Sequence, residues 1–360
     1  MKQIGGRQLI LIGAMYILDS SLVSTTAQTA FHGKQHGWLS FLVPVPFILL
    51  VLWLLSLVTK RYPGQDLLQA LTKAYPVLGR AAAAALLLFY LYIYTRDVRM
   101  FVDFCSVALL PSTPLVVIST LVVITTVWIA RGGLAAIGRI TELYAPLFVI
   151  VILTLPLFVT KDIEVVALRP FFAMDVPGVV LGGWYAFSYV GEILAIAFIC
   201  TGNTFRFRHG VIGLGIGVGL IMILSMLDIL VLGPELTAKF LYPNYELIRQ
   251  IRVTDFLDRF DLVIVGVWAP TMITKIAYSL YIISYALHRI VPDIPWKLAV
   301  SPLGMLGFVC SFWLFKNSLQ LFSFTKEWTA IAMVVQLLLP VGIYLLVRLK
   351  KPAKQEKPAH

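Results

Sequence analysis

ILDSSLVSTTA, residues 17–27, is the stretch on which the fold turns. Asp19, Ser20 and Ser21 stand in the middle of an apolar run that begins near residue 8 and ends near residue 31. Polar groups at that depth of a membrane helix are tolerated only where neighbouring protein or a cavity satisfies them. GGWYAFSYVGEILAI, residues 182–196, repeats the feature, with Ser188, Gly191 and Glu192 in mid-span.

The rest of the chain says why those two stretches correspond. Of 360 residues, 59% are hydrophobic and 13% charged, against about 45–50% and about 25% in soluble domains. Hydrophobic windows fall near 8–31, 38–59, 81–109, 114–131, 143–160, 177–201, 210–232, 262–288, 297–315 and 328–348. Each is long enough to cross a hydrocarbon core about 30 Å thick. The expectation is an all-α, polytopic membrane protein of ten transmembrane helices. Ten spans divide into five plus five, and the interrupted stretches are the first span of each half. Matching breaks in two halves are the mark of inverted-repeat transporters, whose binding site lies between the breaks. We therefore expect one transmembrane domain over 1–350, with repeats over about 8–160 and 177–348, and a disordered basic tail at 351–360.

Charge sets the topology. The net charge of +11 does not point to nucleic acid, because the basic residues form no patch interleaved with aromatics. With the N-terminus in the cytoplasm, 17 Lys and Arg fall on that side and 9 on the other, leaving Arg96, Arg99 and Lys275 inside spans. The positive-inside rule then puts both termini in the cytoplasm, and the tail KKPAKQEKPAH beside anionic lipid. The opening MKQIGGRQLILIGAMYIL has the shape of a signal peptide; it is kept as span 1 because apolar character resumes after Asp19. Cys105, Cys200 and Cys310 lie in or beside apolar spans and read as packing residues.

Ionisable groups in hydrocarbon are functional-site candidates. At about 1.5 Å per residue, Asp19, Glu192 and Lys275 each fall close to mid-membrane. Lys275 can pair with either acid, leaving the other for a substrate ammonium or a proton; alternatively the three form an ion pair that locks spans 1, 6 and 8. The candidate ligand-binding set is Asp19, Ser20, Ser21, Ser188, Tyr189, Gly191, Glu192 and Lys275. In span 3, Arg96, Arg99 and Asp103 share one helix face and either line an outer vestibule, as gate residues, or snorkel to the interface. Asp97 points about 100° away from them. Asp228 and Glu142, near span ends, read as interfacial. GLGIGVG at 213–219 has the small-residue spacing of close helix packing. His32 and His36 have no acidic neighbour and read as a wet loop. No metal, organic cofactor or enzymatic constellation is indicated.

One charged passage stands apart, LYPNYELIRQIRVTDFLDRFDLVIVGVW at 241–268. Leu247, Ile248 and Ile251 make one apolar face, and Val253, Phe256, Leu257 and Phe260 another on nearly the opposite side. A straight helix shows one stripe. The expectation is a short helix near 244–251, a kink at Arg252–Thr254, and a second helix leading into span 8. The loop would serve as a lid or docking surface on the outer side, or as an idle connector.

YPNYELIRQIRVTDFLDRFDLVIVGVW also resembles the signature passage of the spore germination permease family, the integral-membrane B subunits of nutrient germinant receptors. LLPSTPLVV at 109–117 and GGLAAIGRITELYAPLF at 132–148 resemble two further stretches of that family. The resemblance covers essentially the whole chain. It implies a LeuT-like fold of the amino acid/polyamine/organocation (APC) transporter superfamily, with broken helices 1 and 6. It also implies a small germinant, typically an amino acid, partnership with an A-type membrane subunit and a C-type lipoprotein subunit, and residence in the spore inner membrane. Transporters of that superfamily carry small, glycine-rich sequence where span 1 unwinds. Asp19–Ser20–Ser21 departs from this and favours an amine ligand or a counter-charge for Lys275. Two other functions stay open: a proton- or ion-coupled amino-acid permease, and a scaffold without a ligand site.

Overall fold

The computed structural model describes residues 4–62, 64–199, 204–251 and 260–349. Among them there are helices, turns and loops and no strands. Span 1 is Gly6–Ser24 continued by Thr26–Gly33, span 2 Val45–Arg61, span 3 Pro76–Ala108, span 4 Leu115–Arg131 and span 5 Leu134–Phe158. Span 6 is Val176–Val190 followed by a 3-10 turn, Gly191–Leu194, and Ala195–Phe198. Span 7 is Phe207–Leu232, span 8 Phe260–Ile290 and span 9 Trp296–Leu314. Span 10 runs from Thr325–Met333 through a π-turn at Val334–Leu338 into Leu339–Leu349. Among the described residues eight helical stretches have the length and hydropathy to cross a bilayer, and Leu115–Arg131 is a shorter apolar helix. Thr26–Arg61 is one of the eight, but it holds the end of span 1 and all of span 2: Lys34 takes a positive φ of 49° and the chain folds back through a 3-10 turn, Lys34–Leu42. Span 2 therefore starts later than its hydropathy window.

Polar residues mark the ends of several elements. Asp66, Asp175 and Asn317 accept the backbone N–H groups of Gln69, Gly178 and Gln320 at 2.9, 3.0 and 2.9 Å. Such caps satisfy donors that a helix start leaves orphaned. Span 6 leaves the α-helix at Gly191, inside the expected stretch. Span 1 does not break at Asp19–Ser21. It stays helical to Ser24 and breaks at Thr25 (φ −111°, ψ −25°). The hydroxyls of Ser24 and Thr25 donate back to the carbonyls of Ser20 and Ser21 at 2.6 and 2.7 Å, a pattern that bends helices. The side chains of Asp19 and Ser20 reach instead to spans 3 and 8.

Span 1 lies in the middle of the bundle, against spans 5, 6, 7 and 8. Gly213 and Gly217 of span 7 face it: a Cβ at either would come within 3.0 Å of the Ile10 carbonyl and 2.9 Å of the Ala14 carbonyl. The glycine run is thus a packing seam, as its spacing predicts. Asp228 corrects an expectation, since it is wholly buried and not interfacial. Glu142 is partly exposed, accepting from Gln8 Nε2 at 2.8 Å. His36 is likewise buried, with Nε2 3.0 Å from the Phe171 carbonyl, because the fold-back after span 1 seats it against the loop before span 6.

Between spans 7 and 8 lie two short helices, Pro234–Lys239 and Pro243–Arg249. Leu247, Ile248 and Ile251 are buried, as the apolar face predicts. The expected kink at Arg252–Thr254 and the start of the second helix lie outside the described residues, as do Cys200 and the 351–360 tail.

Candidate functional site

Four charged side chains meet where spans 1, 3, 6 and 8 converge. Arg96 and Asp97 come from span 3, Glu192 from the 3-10 turn of span 6, and Lys275 from span 8. Arg96 Nη2 lies 2.6 Å from Asp97 Oδ1 and 2.7 Å from Glu192 Oε1. Lys275 Nζ lies 2.7 Å from Glu192 Oε2 and 3.3 Å from Asp97 Oδ2. The ring of contacts closes: each cation touches both acids. Ser20 joins from span 1, donating to Asp97 Oδ1 at 3.2 Å and accepting from Lys275 Nζ. All four charged side chains are at most 1% exposed. Two positive and two negative charges leave the quartet neutral, which is what allows it to be buried.

Aromatic faces complete the shell. The Arg96 guanidinium sits 4.5 Å from the Tyr189 ring centre and Lys275 Nζ 5.1 Å from that of Tyr16, the geometry of cation–π attraction. Tyr16 OH in turn bonds Ser279. Gln336, turned inward by the π-turn of span 10, donates from Nε2 to the Ser188 carbonyl at 2.8 Å. A Cβ at Gly191 would meet the Gln336 amide and force that side chain to move.

Asp19 stands beside this quartet and outside it. Its Oδ1 accepts from Thr271 Oγ1 at 2.9 Å, while Oδ2 is buried with no hydrogen-bond partner among the described residues. Ser21 Oγ, Tyr189 OH and Arg96 Nη1 are also buried without partners among them. Lys275 therefore pairs with Glu192, not with Asp19. Arg96 does not keep company with Arg99 and Asp103, whose face it shares. Its side chain folds onto Asp97, the residue that helix geometry turns 100° away, because a long guanidinium arm reaches across that angle. Asp97, Thr271, Tyr16 and Gln336 were invisible as partners in the sequence. The only signal for Asp97 was its place next to an arginine in mid-span, where a buried guanidinium needs a counter-ion.

Arg99 and Asp103 remain together farther along span 3. Arg99 Nε lies 2.8 Å from Asp103 Oδ1, and its Nη2 donates to the Lys316 carbonyl at 2.8 Å. Asp103 accepts from Ser318 at 2.8 Å, and Ser318 bonds Tyr242 OH at 3.1 Å. Asn244 ties the same end to span 1, donating to the Leu22 carbonyl at 2.8 Å and to Thr26 Oγ1 at 3.0 Å, next to the break at Thr25. At the opposite end Asp66 accepts from Arg289 Nη2 at 2.8 Å and from Tyr285 OH. Polar ties therefore bridge the bundle on both sides of the quartet. Near the Tyr242 end a cleft of about 470 Å³ opens between Ala108, Tyr245, Glu246 and Asp261.

The fold is that of solute transporters of the LeuT type. The chain superposes on MhsT in complex with L-phenylalanine with a TM-score of 0.62 at 16% identity, covering 97% of this chain and 89% of that one. On Mhp1, a nucleobase-cation-symport-1 family transporter, the TM-score is 0.61 at 16% identity, covering 92% and 75%. Sequence narrows the class further. The family model described as spore germination protein matches residues 3–320, and the chain belongs to that family. It is 32% identical over 350 residues to YfkT of Bacillus subtilis (strain 168), named for spore germination, covering 97% of this chain and 98% of the relative. Spore germination protein KB of the same organism is 24% identical over 265 residues, covering 71% and 70%. The chain is thus a multi-pass, permease-like membrane protein of spore germination, and not an enzyme.

Proposed function

We propose that this chain is the B-type membrane subunit of a nutrient germinant receptor in the spore inner membrane, with both termini cytoplasmic. It binds a small germinant, an amino acid, between spans 1, 3, 6 and 8. Asp19 carries the reading: it is a wholly buried carboxylate with one oxygen unpartnered among the described residues, next to a quartet that is already neutral. Both oxygens of Glu192 are engaged by Arg96 and Lys275, so the ligand's ammonium goes to Asp19. Arg96 Nη1 and Tyr189 OH, buried and unpartnered among the described residues, are donors for its carboxylate. Ser20, Ser21, Ser188 and Gly191 shape the chamber, Glu192 and Lys275 hold it, and Arg99 and Asp103 gate the far end.

A ligand acts on a receptor only through preference for one state. Here the germinant would favour a state in which the ties at Asp66–Arg289 and Asp103–Ser318 are rearranged, and A-type and C-type partner subunits would read the change. The test is the germination dose-response of spores carrying Asp19→Asn. The half-effective germinant concentration should rise at least tenfold, about 1.4 kcal/mol, at unchanged protein level. An unchanged curve removes Asp19 from the site. Reconstituted vesicles separate the rival function: uptake of labelled amino acid driven by a pH gradient supports a coupled permease, whereas binding without flux supports a receptor. Exchange of this subunit between strains of different germinant specificity tests the scaffold reading, which predicts that specificity stays with the recipient.

A further inference from the structure

Asp228 of span 7 takes no part in the central quartet, and its surroundings have a chemistry of their own. It is wholly buried, and neither carboxylate oxygen makes a hydrogen bond of good geometry among the described residues, with the Thr26 hydroxyl the group within reach. No Lys, Arg or His among them pairs with it. The oxygens around it come from three other elements or turns. The Thr26 hydroxyl lies beside it, just past the break in span 1. Ser225, one helical turn earlier on the same face of span 7, is wholly buried with Oγ unpartnered among the described residues. Asn244, on the short helix Pro243–Arg249, spends its Nδ2 on the Leu22 carbonyl and Thr26 Oγ1. That fixes the amide and leaves Asn244 Oδ1 buried and unpartnered among the described residues. Thr237 closes the nook, donating to the Asp228 carbonyl at 3.1 Å and to that of Gly233 at 2.7 Å.

We infer that the oxygens of Asp228, Ser225, Thr26 and Asn244 form a binding site for a desolvated alkali cation, Na⁺ or K⁺. The donors are all hard oxygens, with no imidazole or thiolate, which suits an alkali or alkaline-earth ion and not a transition metal. A single carboxylate neutralises one positive charge. Calcium sites draw on several carboxylates, and the described residues hold no group of three or more His, Cys, Asp or Glu that could ligate a metal. An unpaired carboxylate in such surroundings is strongly disfavoured, and the cation removes that penalty. Its position gives it a role: it bridges span 1 beyond the Thr25 break, span 7, and the short helix lying over that end. Occupancy therefore holds the Asn244 end of the bundle closed.

The test uses the full chain purified in detergent, melted in NaCl, KCl or choline chloride at equal ionic strength. One alkali cation should raise the melting temperature over choline by about 3–5 °C at saturation. Asp228→Asn should abolish that rise while melting in choline no lower than the wild type. Ser225→Ala, a milder change, should raise the half-saturating cation concentration at least threefold. The site is refuted by an alkali response that survives Asp228→Asn, by a wild-type protein indifferent to Na⁺ and K⁺, or by a response to Ca²⁺ alone. Stability that follows pH but not salt identity refutes it too, since the carboxyl then binds a proton. None of these outcomes bears on germinant binding at Asp19, so the two readings fail separately.

Discussion

Glu192 and Asp228 are both wholly buried carboxylates, on helices that touch, yet their surroundings are opposite. Glu192 has Arg96 on one oxygen and Lys275 on the other, at 2.7 Å each. Asp228 has neutral hydroxyl and amide groups around it and no cation among the described residues. The first site is neutral by its own residues, so it serves as a rigid keystone for spans 1, 3, 6 and 8. The second has a formal charge that only something from solution can balance. Buried acids in one bundle thus divide into those neutralised by the protein's own cations and those that are not. Asp19 falls in the second group.

The contrast can be broken most sharply at Lys275. Lys275→Met removes one of two cations and leaves two buried acids sharing a single arginine. Breaking a buried pair in this way costs about 3–5 kcal/mol, so most folded protein should be lost, read as the monodisperse fraction after size exclusion. Lys275→Met with Glu192→Gln restores neutrality and should recover most of it; a double variant as poor as the single one would mean that neutrality is not what matters. At Gly191, Gly191→Ala should cost about 1–3 kcal/mol through overpacking against Gln336, seen as a lower melting temperature and partly relieved by adding Gln336→Ala. Asn244→Ala strips the tie between the short helix Pro243–Arg249 and span 1. It should cost about 1–2 kcal/mol and speed hydrogen exchange at 243–249. The smallest effect belongs to Arg249→Ala. Its pair with Glu246 is 57% exposed on the arginine side, and stability should change by less than about 0.5 kcal/mol; a larger loss would show that this face is covered.

How much of this was legible beforehand depends on the residue. Depth in the membrane is a property of position along a helix, so Asp19, Glu192 and Lys275 could be marked from sequence alone. Their pairing could not. Which acid meets Lys275 depends on the rotation of three helices about their axes, and the answer was Glu192 with Asp97, a residue read as facing elsewhere. Arg96 moved from the outer group to the centre for the same reason, since a flexible side chain escapes the face that helical periodicity gives it. Polar side chains in mid-span point to unwinding at Asp19–Ser21, yet the helix runs on to Ser24. The serine and threonine hydroxyls at Ser24 and Thr25 bend the helix, while Asp19 and Ser20 are satisfied by other helices. Asp228 reads as interfacial and Asn244 carries no signal in the sequence, because what buries the one and holds the other comes from elements distant in the chain.

Consecutive residues carry hydropathy, periodicity and local motifs, so the membrane as solvent, the all-helical fold and the family were readable from the chain alone. Which charges cancel and which are left over emerges only once the helices are packed. Electrostatic balance in a low-dielectric interior is set over a few ångströms by side chains from four helices, and no one-dimensional pattern records that distance.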